Sequence, residues 1–274
     1  MIEAGLFGFT LAGLVVGFAV GVTGVGGGSL MTPILILLFG FSPSAAVGTD
    51  LLYAAGTKSF GVWLHGRQRT VDWRIVSLLV AGSVPAALLT IAALHTVGID
   101  ETVERIMTLT LSAAVVATAL LTLFRQRLMA MVSDRAVPAA AGADVRRRLR
   151  TPITIAGAAL LGVLVTLSSV GAGVLGTTML FLLYPRLPAV KVVGSDIAYA
   201  VPLTLVAGLG HISLGTTDFE VLAYLLLGSL PGIFLGTRLG FQLPDRVLRP
   251  TIACLLILVG ASLLFDNVAS AFAG

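Results

Sequence analysis

An internal duplication is the feature of this chain that most constrains its fold. The octet Val-Gly-Thr-Asp-Leu-Leu-Tyr-Ala at residues 47–54 returns at 193–200 as Val-Gly-Ser-Asp-Ile-Ala-Tyr-Ala. At the same offset His65 matches His211, Asp72 matches Asp218, and a Gly-Ser-Val-Pro at 82–85 becomes Gly-Ser-Leu-Pro at 228–231. The chain therefore contains two copies of one unit. An apolar unit that carries an acidic residue in both copies is typical of secondary transporters, whose sites lie between related halves.

The composition places these copies in a membrane. Of 274 residues, 57% are hydrophobic and only 11% are charged, whereas about a quarter of the residues of a soluble domain are charged. Uncharged runs of roughly the 20 residues that span a bilayer as helix recur along the chain; they include 75–99, 106–124, 153–185 and 251–265. These runs do not alternate between apolar and polar residues, so membrane β-strands are disfavoured. We predict an all-α integral membrane protein with about ten transmembrane segments and broken helices.

The predicted segments divide into two repeats and a linker. The first repeat covers residues 1–124, the second covers 152–274, and the linker at 125–151 contains seven arginines. The predicted helices lie near 5–24, 29–40, 44–64, 74–95 and 103–124 in the first repeat, and near 152–169, 173–184, 189–211, 219–240 and 247–266 in the second. Because basic connections stay on the cytoplasmic side, we expect a cytoplasmic linker. It is either a plain tether or a site for anionic lipid.

The positions of the other basic residues predict the orientation of the repeats. With five crossings per repeat, the basic connections near 67–74, 185–191 and 238–249 share the side of the linker. An odd number of crossings inverts the second repeat relative to the first and leaves both termini outside. If the short second and seventh segments only dip into the membrane, the repeats become parallel four-helix units. The start has no Lys or Arg before Lys58, so we expect the first helix to be retained.

Two glycine-rich stretches predict breaks in membrane helices. Residues 24–29 read Gly-Val-Gly-Gly-Gly-Ser and residues 168–173 read Ser-Ser-Val-Gly-Ala-Gly, each just before a short apolar segment. Adjacent glycines weaken a helix, each by about 1 kcal/mol relative to alanine. A helix that restarts after such a break offers free N–H groups and a partial positive charge to an anion. The other interpretation is close helix packing, for which membrane proteins also use glycine.

Three charged residues lie within the apolar segments. Asp50 and Asp196 occupy equivalent positions in the two repeats, where each acid either caps a helix start or faces the protein interior to bind a proton or organise the breaks. Lys58 follows Asp50 by about two helical turns, and Thr204 takes its place in the second repeat. This lysine either extends to the membrane interface or attracts an anion directly.

The sequence indicates neither a metal site nor a cofactor. His65 and His211 have no neighbouring ligands at metal-binding spacing, so we interpret them as residues that cap helix ends or make interfacial hydrogen bonds. The one cysteine, Cys254, excludes an internal disulfide. The net charge of +4 comes from basic residues beside the apolar runs, which orient membrane helices, so no nucleic-acid partner is expected.

The glycine-rich 24–29 with Pro33, the Val-Gly-Thr-Asp at 47–50 and its repeat at 193–196 together resemble the sulfite exporter TauE/SafE family. This family is also called the toluene sulfonate uptake permease family. The likeness covers nearly the whole chain outside the linker. It implies a secondary carrier of sulfur-containing anions such as sulfite, organosulfonates or thiosulfate in a prokaryotic inner membrane. The second repeat departs from the first, because Gly-Ala-Gly replaces the triple glycine and no proline matches Pro33.

We therefore predict a proton-coupled, alternating-access carrier rather than an enzyme, with a passive anion channel as the alternative. Asp50 and Asp196 are the predicted proton-coupling or site-organising residues. The predicted substrate-binding residues surround the two breaks and the two acids, and they are Gly26, Gly27, Gly28, Ser29, Gly48, Thr49, Lys58, Gly171, Ala172, Gly173, Gly194 and Ser195.

Overall fold

A computed structural model of the chain describes residues 2–23, 28–66, 70–134 and 143–240, together with 260 and 262. This part of the chain forms nine α-helices and contains no β-strand. The helices are α1 (Ile2–Thr23), α2 (Gly28–Phe39), α3 (Pro43–Gly66), α4 (Trp73–Val97), α5 (Glu101–Asp134), α6 (Ala143–Ser168), α7 (Val174–Leu183), α8 (Ala189–Ser213) and α9 (Phe219–Gly240).

The predicted all-α membrane class is confirmed. Within the described residues, five stretches are long and apolar enough to cross a membrane, and they are Trp73–Val97, Glu101–Phe124, Leu149–Ser168, Ala189–Ser213 and Phe219–Arg238. Three shorter apolar stretches lie in α1, α2 and α7. The predicted last segment, 247–266, falls outside the described residues except at positions 260 and 262.

The predicted linker is partly helical. α5 continues to Asp134 and α6 begins at Ala143, so helix extends into the linker from both sides. We assigned this region to the linker because of its seven arginines and Pro138, and these features did not prevent helix from continuing into it. Only 135–142 of the linker lies outside the described residues.

In each repeat the first two helices form a hairpin. The ring of Phe9 in α1 lies 4.4 Å from the ring of Phe39 at the end of α2. In the second repeat, the Thr154 hydroxyl of α6 lies 2.9 Å from the Tyr184 hydroxyl that follows α7. Thus the end of each short helix lies beside an earlier part of the longer helix that precedes it. In the second repeat, the glycine-rich residues 169–173 connect the two helices.

The third helices of the two repeats, α3 and α8, pack against each other and run antiparallel. Gly48 near the start of α3 contacts His211 at the end of α8, and Gly208 late in α8 packs on Leu52 early in α3. A Cβ atom at Gly48 would lie 3.1 Å from the His211 Cβ, which shows how closely the two helices approach. These helices carry Asp50 and Asp196 and bury both.

Glycine also brings the outer helices into backbone contact. α1 packs on α9 through glycines spaced four residues apart on both helices; they are Gly13, Gly17 and Gly21 on α1 and Gly228, Gly232 and Gly236 on α9. α6 packs on α4 in the equivalent way, with Gly162 against the backbone of Ser83 and Gly82 against that of Ile155. Each pair combines one helix from each repeat, so the repeats are interleaved rather than side by side.

Two equivalent hydrogen bonds tie the repeats together near the acids. The backbone N–H of Asp218, before α9, donates to the Thr49 hydroxyl at 3.1 Å. The backbone N–H of Asp72, before α4, donates to the Ser195 hydroxyl at 2.9 Å. The two aspartate side chains cap the helices that follow them. Each third helix is therefore bonded to the start of the fourth helix of the other repeat.

Candidate functional site

The two acids lie inside helices and not at their ends. α3 begins at Pro43 and α8 at Ala189, so Asp50 and Asp196 are each the eighth residue of a helix. Both side chains are buried, with 0% and 2% exposure. The alternative that these acids cap helix starts is wrong, because an N-cap side chain must reach free N–H groups of the first turn. That role falls to Asp72 and Asp218.

The second glycine-rich stretch is a break in the helix. α6 ends at Ser168, α7 begins at Val174, and the intervening backbone includes Gly171 at φ 135° and Gly173 at φ 147°. These values favour glycine because a side chain would collide with the backbone. Ser169 adopts φ 57°, which is uncommon for a residue other than glycine. α7 thus starts afresh within the protein, with Gly171–Gly173 buried at its N-terminus.

Lys58 reaches this break from the other repeat. Its side chain is buried, with 6% exposure, and its Nζ donates a hydrogen bond to the Ala172 carbonyl at 2.9 Å. The alternative in which Lys58 extends to the membrane interface is therefore wrong. Its ammonium group also lies within electrostatic reach of both Asp50 and Asp196. One buried cation thus interacts electrostatically with two buried acids and contacts an irregular backbone.

Asp50 is only partly satisfied by hydrogen bonds. The Thr32 hydroxyl of α2 donates to its Oδ2 atom, whereas its Oδ1 atom has no partner among the described residues. The Ser169 hydroxyl of the break lies beside the same carboxylate and also lacks a hydrogen bond of ordinary geometry. A buried polar atom without a partner is uncommon in proteins, so this carboxylate oxygen is available to a proton or a polar ligand.

Asp196 occupies the equivalent position in the second repeat but has different neighbours. Its Oδ1 atom lacks a hydrogen-bond partner within the described part of the chain, as do the hydroxyls of Tyr53 and Tyr199. Both tyrosines are buried, one helical turn after the acid of their own repeat. The Asp196 carboxylate occupies the space beside Gly176 of α7. A Cβ atom at this glycine would collide with the Asp196 Oδ1 atom and would lie 2.8 Å from the Tyr199 hydroxyl.

Four polar residues at this site were absent from the sequence prediction. Tyr53 and Tyr199 had a detectable signal, because the pattern Asp-x-x-Tyr is identical in both repeats. Ser169 belongs to the glycine-rich stretch that predicted the break, although it was not identified as a site residue. Thr32 had no signal, since isolated hydroxyl residues are common in apolar helices and only a tertiary contact brings it to Asp50.

The remaining predicted residues divide into three groups. Gly26 and Gly27 lie outside the described residues, while Gly28 and Ser29 form the first turn of α2. Gly48 and Gly194 pack on the backbone of Thr216 and Thr70, respectively. The Thr49 and Ser195 hydroxyls accept the bonds between repeats described above. These last four residues hold the acid-bearing helices in place.

His211 makes hydrogen bonds between helices and does not contact the acids directly. His211 is buried, and its Nε2 hydrogen-bonds to the Thr166 carbonyl at 3.0 Å while its Nδ1 bonds to the Thr216 hydroxyl at 2.8 Å. It joins α8 to α6 and to the following loop. The side chain of His65 lies outside the described residues. No group of three or more His, Cys, Asp or Glu residues suited to a metal ion occurs among the residues that the structure describes.

Comparison with known proteins gives consistent matches along the chain. The family model of the sulfite exporter TauE/SafE family matches residues 9–263. The probable membrane transporter protein YjnA of Bacillus subtilis is 36% identical over 255 residues, which is 93% of this chain and 98% of the relative. The probable membrane transporter protein YdhB of the same organism is 26% identical over 261 residues, 93% of this chain and 97% of that protein. No solved structure matches the chain.

Proposed function

Since the chain belongs to the sulfite exporter TauE/SafE family, we propose that it is a secondary transporter of small sulfur-containing anions. The substrates are sulfite, an organosulfonate or thiosulfate. The carrier resides in a prokaryotic inner membrane and works by alternating access coupled to protons. The family match and the names of the relatives support membrane transport. The choice of substrate and the coupling to protons are our proposals.

The repeats are proposed to be inverted in the membrane. The support is the antiparallel packing of α3 on α8, because equivalent helices that run in opposite directions belong to oppositely oriented copies. The reciprocal bonds of Thr49 and Ser195 give the same relation, since a two-fold interface repeats each contact with the partners exchanged. With the arginine-rich linker cytoplasmic, both termini lie outside.

The observation that carries the transport proposal is the position of Lys58. A lysine buried in a membrane helix is costly, and such residues usually mark a substrate or ion pathway. Here the lysine meets the break of the other repeat at Ala172 and faces both acids. An anion that entered this region would compete with the Ala172 carbonyl for the Lys58 ammonium group.

The breaks supply the other anion contacts in this proposal. Gly171–Gly173 precede the first turn of α7, and Gly28 and Ser29 form the first turn of α2. The N–H groups of a first helical turn lack partners within the helix and attract negative charge. Gly26 and Gly27 remain part of the proposed site. The acids bind protons, because an unpaired buried carboxylate is stabilised when a proton neutralises it.

Transport by the purified full-length chain in sealed vesicles tests the proposal. Vesicles loaded with one sulfur anion should take up the labelled anion by saturable exchange, and a proton gradient should drive net uptake. Equal leakage with and without the protein for sulfite, sulfonates and thiosulfate would refute the assignment. A passive channel, the alternative, would give flux that neither saturates nor responds to a proton gradient.

A further inference from the structure

The buried charges at the site are few enough to count. Among the residues that the structure describes, the buried ionisable groups are Asp50, Lys58, Asp196 and His211, with the phenols of Tyr53 and Tyr199. His211, at the end of α8, packs against Gly48 two residues before Asp50, and both of its ring nitrogens are hydrogen-bonded, Nε2 to the Thr166 carbonyl and Nδ1 to the Thr216 hydroxyl. The predicted last span, 251–265, contains no Asp, Glu, Lys or Arg. Within the described residues, the charged side chains of the site are therefore one lysine and two acids.

No other charged side chain of the packed helices faces these acids in the described part of the chain. Glu104 of α5 accepts bonds from Ser44 at the start of α3, and Asp72 and Asp218 cap the starts of α4 and α9. These three carboxylates each accept hydrogen bonds at the start of a helix, whereas Asp50 and Asp196 lie within their helices.

A site enclosed inside a membrane protein should have no net charge. An uncompensated ion in a low-dielectric interior carries a large desolvation cost, so charges there are paired or neutralised by protons. In the empty carrier the neutral combination is protonated Lys58, one ionised acid and one protonated acid. In the loaded carrier the anion takes over the negative charge, and the second acid must also be protonated.

Building on the proposed function and narrowing its substrates to exclude thiosulfate, we propose that the carrier transports monovalent anions only, each together with one proton. For sulfite the transported species is bisulfite, and a monosulfonate qualifies as it stands. A dianion such as thiosulfate or sulfate would leave one negative charge unpaired even when both acids are protonated. Lys58 is therefore the residue that sets the charge of the substrate, because the equivalent position in the second repeat holds the uncharged Thr204.

The coupling ion is a proton rather than a sodium ion. A proton requires a single free oxygen, and each acid presents one, Oδ1, without a hydrogen-bond partner in the described structure. A sodium ion would be repelled by the Lys58 ammonium group, which lies within electrostatic reach of both acids.

The test uses full-length protein in vesicles and compares anions of equal size but different charge. We expect methanesulfonate uptake to exceed thiosulfate and sulfate uptake by at least about tenfold. An unpaired charge that costs only about 1.4 kcal/mol already gives this ratio. Uptake should respond to a pH gradient and not to a membrane potential set with potassium and valinomycin, and a pH dye should report one proton per anion. Sulfite uptake should follow the bisulfite fraction as the pH changes.

Several results would overturn the inference and leave the proposed function intact. These are thiosulfate uptake equal to methanesulfonate uptake, uptake driven by membrane potential, or a requirement for sodium. If no sulfur anion moves, the proposed function and this inference both fail. In the Asp50→Asn, Asp196→Asn double variant, exchange of methanesulfonate, whose charge does not change with pH, should lose its response to pH, and a response that persists would also contradict the inference. The selectivity of the unaltered protein decides the matter if this variant does not fold.

Discussion

Substitution of Gly17 by alanine should destabilise the protein, although alanine is normally the better helix residue. A Cβ atom at Gly17 would lie 2.5 Å from the carbonyl oxygen of Ser229 and 2.7 Å from its Cα atom. Ordinary contacts between such atoms are about 3.5–4.0 Å, so α1 and α9 would have to separate by roughly 1 Å. A gap of this size removes a quarter to a half of the contact energy along the seam.

The expected cost follows from these distances. Overpacking of this kind costs about 1–3 kcal/mol, and the clash here is with backbone that cannot change rotamer. The gain in helix propensity from glycine to alanine is about 1 kcal/mol and offsets only part of it. We therefore expect a lower melting temperature for detergent-solubilised Gly17→Ala protein, by roughly 2–4 °C for each kcal/mol lost.

Gly8 and Gly162 provide matched comparisons. A Cβ at Gly8 in the same helix would meet only the side chain of Phe39, at 3.2 Å, so Gly8→Ala should be neutral or stabilising. Gly162 occupies the equivalent seam between α6 and α4, where a Cβ would lie 2.9 Å from the Ser83 Cα, so Gly162→Ala should resemble Gly17→Ala. Equal melting temperatures for the Gly8 and Gly17 variants would refute the argument from backbone contact.

Three further predictions concern the site. Lys58→Met should weaken anion binding, measured as the KM of exchange, by about 100-fold or more, because loss of one partner of a buried charge pair costs about 3–5 kcal/mol; Lys58→Arg should retain more of the affinity. Thr49→Val and Ser195→Ala should each lower the melting temperature through a similar loss of about 1–3 kcal/mol, because each leaves a backbone N–H without its acceptor; unequal effects would contradict their equivalence. Gly176→Ala should abolish transport without unfolding the protein, because its Cβ would displace the Asp196 carboxylate; unchanged transport rates would show that the carboxylate position is unimportant.

The local features of the fold were predictable from the sequence. The all-α membrane class follows from the long uncharged runs, and α8 and α9 begin at the predicted positions. Two features made these predictions possible. The hydropathy of a span can be read from its own residues, without knowledge of its neighbours in space. The duplication showed each pattern twice, once in each repeat.

The contacts of the site were not predictable in the same way. Lys58 could be placed at the interface or in the interior from sequence alone, and its bond to Ala172 joins residues 114 positions apart. Thr49 was expected to bind substrate, yet its hydroxyl accepts a bond from Asp218 of the other repeat. Such pairings depend on how helices pack, and no pattern along one helix specifies its partner.

The amino-acid order by itself fixed a membrane-embedded, duplicated chain with glycine-rich stretches and three charged residues inside apolar segments, because hydropathy, repeat and glycine content are properties of short segments. Only the tertiary structure decided that the repeats interleave, that α3 and α8 lie antiparallel, and that one lysine is enclosed with two acids beside the break of the opposite repeat. The physical reason is that a buried charge must find compensation in space, and its partners come from distant parts of the chain.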